Sequence, residues 1–311
     1  MCVVNSWRSP HGRLLPEIGR RTLIMGILNV TPDSFSDGGE LPTVQAVLDR
    51  AAQMLAAGAD LLDIGGESTR PGAQPVAEAE ELARVLPAIS ALRDRWPRVP
   101  LSIDTFKPKI AAAAIEAGAD IINEVWGLMH ALPSEVRTRL REALDASAST
   151  LLPVVPMAAT AAQLGCPVVL MHNRPDRNYR EFLADVVLDL RLSLALAQRA
   201  GIPPHQIWLD PGFGFAKDVA QNLEILKHLE RVIALGYPVL VGTSRKSTIG
   251  KVLGTTLSDR VEGSAATAVW AIQKGCHMIR VHDVGPLARC ARMADAIKAG
   301  ITFKPAEPWI N

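Results

Sequence analysis

Aromatic side chains are scarce in this chain of 311 residues, at 5% of the total. That leaves little from which to build a base-stacking platform for single-stranded nucleic acid. An excess of charge of one sign is missing too. The 33 Lys and Arg residues against 32 Asp and Glu leave a formal net charge of +1, so no global field draws the chain to nucleic acid or to a membrane surface, and affinity for an anion has to come from a local cluster. Only four cysteines occur, Cys2, Cys166, Cys276 and Cys290. They have neither paired spacing nor a metal-ligand pattern, and reduced thiols in a cytoplasmic protein are expected. The first ten residues lack an apolar core of signal-peptide length, and no apolar run reaches the ~18 residues of a membrane span. Neither a Gly-x-Gly-x-x-Gly turn nor a Walker sequence follows the first strand, which weighs against an open, doubly wound nucleotide-binding sheet.

What is present is a rhythm. Short apolar runs, several of them β-branched, occur at 22–30, 60–66, 101–105, 120–125, 167–173, 207–210, 238–243 and 277–283, as expected of strands buried on both faces. Between them lie helical patterns at 43–57, 78–95 (interrupted at Pro87), 108–117, 179–200, 221–235, 258–274 and 286–299. Strand then helix, about eight times over, implies parallel pairing with right-handed crossovers and an α/β fold, a single-domain (β/α)8 barrel spanning 22–300. Residues 1–21 are expected to form a lead-in with a short hairpin across the bottom of the barrel, and 301–311 a tail. The connection after the fourth strand is too long for one helix. The charged, amphipathic stretch 133–146 is expected to be a helical insertion, within about 128–152, and a helix at 155–164 to complete the barrel unit.

The ends of the apolar runs are polar nearly every time. Reading them off gives Asn29, Asp63, Asp104, Asn123, His172, Asp210, Ser244 with Lys246, and Arg280 with His282. In a barrel these side chains converge on one face, and packing alone gives no reason for them. Asp104, Asn123 and Asp210 suit a polar, planar heterocycle whose N–H groups need acceptors. Arg280 and His282 alternate around Val281 and so project to one side; with Arg70 and the hydroxyls of Ser68 and Thr69 they suit an anion. Asn29, with Asp33 and Asp37 in the following loop, supplies hard oxygen ligands of the kind that hold Mg2+ jointly with phosphate oxygens.

Two long motifs give these residues a family context. Gly26-Ile-Leu-Asn-Val-Thr-Pro-Asp-Ser-Phe-Ser-Asp-Gly-Gly39 and Asp63-Ile-Gly-Gly-Glu-Ser-Thr-Arg-Pro-Gly72 resemble the first and second signatures of the dihydropteroate synthases. Ser102-Ile-Asp-Thr105, Leu170-Met-His172, Leu209-Asp-Pro-Gly-Phe-Gly-Phe215, Gly242-Thr-Ser-Arg-Lys-Ser247 and Ile279-Arg-Val-His-Asp-Val284 resemble the remaining blocks in the same order. The resemblance implies a transferase of folate biosynthesis. It would condense 6-hydroxymethyl-7,8-dihydropterin diphosphate with p-aminobenzoate, assisted by Mg2+, and would be a cytoplasmic homodimer with no nucleic-acid or membrane partner. It implies that Asp104, Asn123, Met171, Asp210 and Lys246 contact the pterin, and that Asn29, Thr69, Arg280 and His282 contact the diphosphate. By the same resemblance Thr69, Arg70, Phe215 and Ser247 close over p-aminobenzoate, and Asn29 with Asp37 binds the metal. Lys246, Arg280, His282, Asp104 and Asp210 are then the residues expected to carry catalysis. A pterin-dependent methyltransferase would share the barrel and the acidic contacts but is not expected to carry the Ser-Arg-Lys-Ser block. An inactive pterin-binding paralogue is expected to have lost one of the charged residues. One departure stands out: Glu124 follows Asn123 where the family usually has Asp. It should point away from Asn123, with a modest effect.

Overall fold

Eight short parallel strands alternate with helices around a closed ring in the computed structural model, which describes residues 7–31, 43–67, 74–146 and 152–302. The strands are β1 (Leu23–Asn29), β2 (Leu61–Gly65), β3 (Leu101–Asp104), β4 (Ile121–Glu124), β5 (Val168–Met171), β6 (Ile207–Asp210), β7 (Leu240–Val241) and β8 (Met278–Val281). Their hydrogen-bonded order is β6-β5-β4-β3-β2-β1-β8-β7. A parallel bridge from Leu209 to Val239, with the Leu209 N–H donating to the Pro238 carbonyl at 2.9 Å, joins β6 to the start of β7 and closes the ring. The helices are α1 (Val44–Ala56), α2 (Glu78–Arg95), α3 (Pro108–Glu116), α4 (Ser134–Asp145), α5 (Pro156–Leu164), α6 (Phe182–Arg199), α7 (Val219–Lys227), α8 (Glu230–Ile233), α9 (Ser247–Leu253), α10 (Val261–Lys274) and α11 (Val284–Ala299). This is the (β/α)8 barrel that the alternation implies.

Period-2 alternation along the strands sorts the core into two parts. Leu62, Ile64, Ile103, Ile122, Leu170 and Leu209 pack outward with helix residues such as Met54, Ile89, Ile110 and Leu190. Leu23, Met25, Leu61, Ile121, Val169, Trp208, Leu240 and Met278 form a separate cluster with Trp7 and Ile18. Those strand residues occupy the inward positions at the amino-terminal end of the barrel. The lead-in therefore closes the bottom as a plug. Trp7 is 4% exposed, its ring lies 4.9 Å from that of Trp208, and its Nε1–H donates to the Pro16 carbonyl at 2.8 Å. Asp120 anchors the segment by accepting from the Ser9 hydroxyl at 2.5 Å and from Arg13 Nε at 2.8 Å.

The structure corrects several boundaries. No strand occurs among described residues 7–22, so the expected hairpin is absent there. Pro87 does not interrupt α2, which runs unbroken over 18 residues. Three acidic residues in its first turn, two arginines in its last and a buried face of Val85, Ala88, Ile89 and Leu92 hold it together across the hydrogen bond that proline removes. The pattern at 221–235 breaks at His228 into α7 and the single turn α8. Helix α9 was not expected, because Gly250 weakens the pattern; a Cβ there would lie 2.5 Å from an Arg260 guanidinium nitrogen. The insertion is a helix, α4, packed on α6, while α5 packs against α3 as the regular barrel helix.

The plug predicts a separable stability effect. Trp7→Ala should lower the free energy of unfolding by about 3 kcal/mol through lost burial and a cavity beneath Trp208, measured by denaturant titration. An effect below about 1 kcal/mol would mean the lead-in is not part of the core.

Candidate active site

The polar strand ends gather at the carboxyl end of the barrel, opposite the plug. Along four strands the inward positions pass from apolar to polar: Leu61 to Asp63, Ile121 to Asn123, Trp208 to Asp210, Met278 to Arg280. Above them opens a cavity of about 330 Å³, lined by residues that include Ile27, Asn29, Asp104, Phe215, Ser244, Lys246, Ser247, Arg280 and His282. Of the expected site residues, Asn29, Asp104, Phe215, Lys246, Ser247, Arg280 and His282 line it directly. Asn123, Met171 and Asp210 are buried at the ends of their strands and are not among the lining residues. Thr69, Arg70 and Asp37, with Asp33 and Ser68, lie outside the described residues.

Arg280 is the centre of the electrostatics. Its Nε donates to Asp63 Oδ2 at 2.6 Å and its Nη2 to Asp104 Oδ2 at 2.7 Å. Asp63 Oδ2 also accepts from Asn123 Nδ2 at 3.1 Å. Asp63 thus couples the anion-binding candidate to the heterocycle-binding candidates; its place among the strand ends was visible in sequence, but this coupling was not. The remaining oxygens, Asp63 Oδ1 and Asp104 Oδ1, are buried without a hydrogen-bond partner. Burial pushes the Asp104 carboxyl up to about 7, with Arg280 opposing and Asp63 adding to the rise. Burial opposes the charge on Arg280, but Asp63 and Asp104 outweigh it and hold the guanidinium above its ordinary value. Asp210 is pushed up to about 6 by burial, against the Gly212 N–H that donates to its Oδ1 at 2.7 Å.

Two glycines are required by close approach. Gly214 has φ +84°, and a Cβ there would meet Lys246 Cδ at 2.8 Å. Its absence lets the Lys246 stem cross the loop, with Nζ 4.0 Å from the centre of the Phe215 ring. At Gly65 a Cβ would lie 2.9 Å from Asn29 Oδ1, so that glycine makes room for the amide. Just beyond β8, the His282 N–H donates to the Ser244 hydroxyl at 3.1 Å, tying the segments that follow β7 and β8 together at the cavity. Arg245, which the sequence marked only as a member of the Ser-Arg-Lys-Ser block, and Arg260, which it had not marked, also line the cavity. Arg245 sits at φ +58° and pairs with Asp283, and Arg260 Nη1 donates to its carbonyl at 3.0 Å.

Glu124 does point away from the cavity, as expected. It is 1% exposed and its two oxygens accept from the Trp126 and Leu128 N–H groups at 3.2 and 2.6 Å. Burial pushes it up to about 7, with those two donors opposing.

Among the described residues no group of three or more His, Cys, Asp or Glu side chains is placed to hold a metal ion. Glu67 lines the cavity but is engaged by Lys107 at 2.5 Å. The donor that remains, the Asn29 amide oxygen, fits a hard cation that brings most of its ligands as phosphate oxygens and water.

A barrel with charged strand ends converging on a cavity at its carboxyl face is the architecture of an enzyme. Residues 25–282 match the model of the pterin binding enzyme family. The dihydropteroate synthase of Bacillus subtilis is 47% identical over 283 residues, covering 90% of this chain and 91% of that one. Its counterpart in Clostridium beijerinckii is 44% identical over 281 residues, covering 90% and 96%. Among solved structures, Xanthomonas albilineans dihydropteroate synthase with 4-aminobenzoic acid superposes with a TM-score of 0.80 at 42% identity, covering 94% of this chain and 99% of that one. The Clostridium difficile enzyme in the presence of pteroic acid gives 0.80 at 41%, covering 91% and 99%. The chain therefore belongs to the pterin-binding enzymes and, within them, to the dihydropteroate synthases, which are transferases.

The Asp63–Arg280–Asp104 cluster has a pH signature. The ordinary value for Asp104 is 3.8 and its folded value is near 7, so the unfolded chain ionises first and stability falls as pH rises through that window. Removing Arg280 takes away the influence that lowers Asp104. Arg280→Ala should therefore lose more stability, relative to the parent, at about pH 8 than at about pH 5.5. Denaturation at the two pH values measures this, and a deficit that is constant or smaller at high pH would refute it.

Proposed function

We propose that the protein condenses 6-hydroxymethyl-7,8-dihydropterin diphosphate with p-aminobenzoate, giving 7,8-dihydropteroate and diphosphate in folate biosynthesis. The observation that carries this reading is the meeting of two chemistries at the cavity. Asp104 lines it, with Asn123 and Asp210 buried at neighbouring strand ends, and Lys246, Arg280 and His282 line it as well. The first three supply acceptors for the N–H edge of a pterin, and the last three supply cations for a diphosphate. In this reading Met171 packs against the pterin ring, and Lys246 reaches it from above Phe215. Ser247 and Phe215 face the arylamine, with Thr69 and Arg70 assigned there by resemblance alone. Thr69 also joins Asn29, Arg280 and His282 on the diphosphate by that resemblance.

The chemistry is a displacement at the exocyclic methylene carbon. The C–O bond to diphosphate breaks, its electron pair leaving on oxygen, and the arylamine nitrogen forms the new C–N bond and then loses a proton to solvent. No side-chain nucleophile is needed. The residues act by alignment and by charge placed in advance: Arg280 and His282 meet the negative charge that develops on the leaving oxygen, and the carboxylates hold the ring whose electrons spread the positive charge. Asn29, with Asp37 assigned by resemblance, would hold Mg2+, which when bound neutralises phosphate charge. The reading includes a cytoplasmic location and a homodimer. Supporting these are unpaired Cys166, Cys276 and Cys290 and the exposed apolar side chains Leu223, Val252, Leu253 and Trp270 on the mutually packed helices α7, α9 and α10. No helix of the described residues is long and apolar enough to cross a membrane.

Purified protein should form dihydropteroate only when both substrates and Mg2+ are supplied, and a chelator should stop it; chromatography of the product measures this. Arg280→Ala and Lys246→Ala should each cost about 10²–10³-fold in kcat, ~2.7–4 kcal/mol of barrier. Pterin binding without product from the parent protein would favour the inactive paralogue instead, and near-parental turnover by Arg280→Ala would remove Arg280 from its role.

A further inference from the structure

A chain of buried charge runs from the inserted helix to the wall of the cavity. It begins at Arg141 on α4, whose Nε lies 2.6 Å from Asp189 Oδ1 on α6. Asp189 Oδ2 is met by Arg174 Nε at 2.6 Å and by His172 Nε2 at 3.1 Å. The other His172 nitrogen, Nδ1, is 2.8 Å from Lys217 Nζ. Lysine has no acceptor capacity as an ammonium, so Nδ1 accepts, and the ring proton sits on Nε2 and is donated to Asp189. Lys217 Nζ also donates to the Gly212 and Phe215 carbonyls at 3.0 and 3.1 Å. Three donors therefore meet three acceptors at a side chain that is only 4% exposed. His172 is fully buried and Asp189 is 1% exposed. Asp185 completes the set, 3.5 Å from both Arg141 and Arg174.

None of these groups lines the cavity, and a network of this expense is not needed to fill space. What it holds is the turn between β6 and α7. Within that turn Gly212 has φ +69°, and a Cβ there would meet the His172 carbonyl oxygen at 1.9 Å. The Phe215 N–H donates to the Gly212 carbonyl at 3.1 Å, and Ala216 at φ +46° has its carbonyl accepting from the Tyr179 hydroxyl at 2.9 Å. The side chain carried by the turn, Phe215, is a cavity wall with the Lys246 ammonium over its face.

We propose that Lys217 is a positioning residue for the arylamine substrate: through the Gly212 and Phe215 carbonyls it fixes the Phe215 wall, and α4 braces it from outside through Arg141, Asp189 and His172. The proposal rests on the condensation reading above for the identity of the substrate. It assigns the insertion a role in the site without contact with it.

The test compares the full-length parent with Lys217→Met and Arg141→Ala. In steady-state assays Lys217→Met should raise KM for p-aminobenzoate about tenfold, and Arg141→Ala about threefold, with KM for the pterin diphosphate changing less than threefold in both. A merely structural role would move both KM values together, and that result would overturn the proposal. Hydrogen exchange of the peptide spanning 209–222 is the second readout. It should speed about tenfold in Lys217→Met and severalfold in Arg141→Ala, and unchanged exchange in Lys217→Met would overturn the proposal whether or not the parent turns over. If Lys217→Met does not fold, Arg141→Ala decides, since its side chain is 21% exposed and its loss leaves Asp189 paired with Arg174. Parental KM and exchange in Arg141→Ala would remove the brace. A parent that makes no dihydropteroate would sink the condensation reading alone, because the exchange readout does not depend on it.

Discussion

A guanidinium held between two buried carboxylates organises the carboxyl end of this barrel. Arg280 on β8 reaches past β1 to Asp63 on β2 and Asp104 on β3. One cation against two acids leaves the cluster a proton short of neutrality or one negative charge in excess, and burial resolves this by raising Asp104. A buried ion cluster of this kind gives little net stability, yet losing one member typically costs about 3–5 kcal/mol because the others are left uncompensated. It therefore acts as a constraint on geometry. With Arg280 fixed, Asp63 is fixed, and through Asp63 Oδ2 so is the Asn123 amide. Two side chains that differ in chemistry, the Arg280 guanidinium and the Asn123 amide, are held by one shared acid.

The same strands supply the stability that this arrangement consumes. On seven of the eight strands the inward positions near the amino-terminal end of the barrel are apolar and join the cluster closed by Trp7 and Trp208, while β3 places the buried hydroxyl of Ser102 there. One or two inward steps later, on the same strands, stand the acids, the amide and the guanidinium. Folding and chemistry are thus separated along the barrel axis by a single period-2 register. A one-residue slip of any strand would carry its polar residue into the helix-facing core, so the register is strongly specified by burial.

This division explains how much was legible in the sequence. Apolar runs ending in polar residues are local, and they disclosed the barrel and the ring of strand ends. The pairings were not legible, because they join residues far apart: Arg280 and Asp63 are separated by 217 positions. Asp63 stood among the strand ends with no stated partner for that reason, and Lys217 was not singled out at all. His172 also stood in the ring, but it turns to Asp189 and Lys217 rather than the cavity. The break between α7 and α8 and the helix α9 were missed because tertiary contacts, such as Arg260 against Gly250, overrule weak local pattern.

The departure at Glu124 and the insertion after β4 belong together. Glu124 accepts from the N–H groups of Trp126 and Leu128, and in that turn Gly127 and Leu128 adopt φ of +56° and +66°. A non-glycine residue at positive φ is strained, and a buried carboxyl receiving two backbone donors supplies the compensation. Each oxygen takes one donor, so the side chain has to reach the N–H four residues along the chain while remaining buried at β4. The longer reach of Glu over Asp suits that span. The chain leaves this turn through Met129 and Leu132, both buried, and enters α4, which comes to rest against α6. Asn123, which faces into the barrel, and its neighbour that faces outward therefore serve different ends from adjacent positions: one bonds to Asp63 beside the cavity, and the other ties down the turn that leads into the insertion.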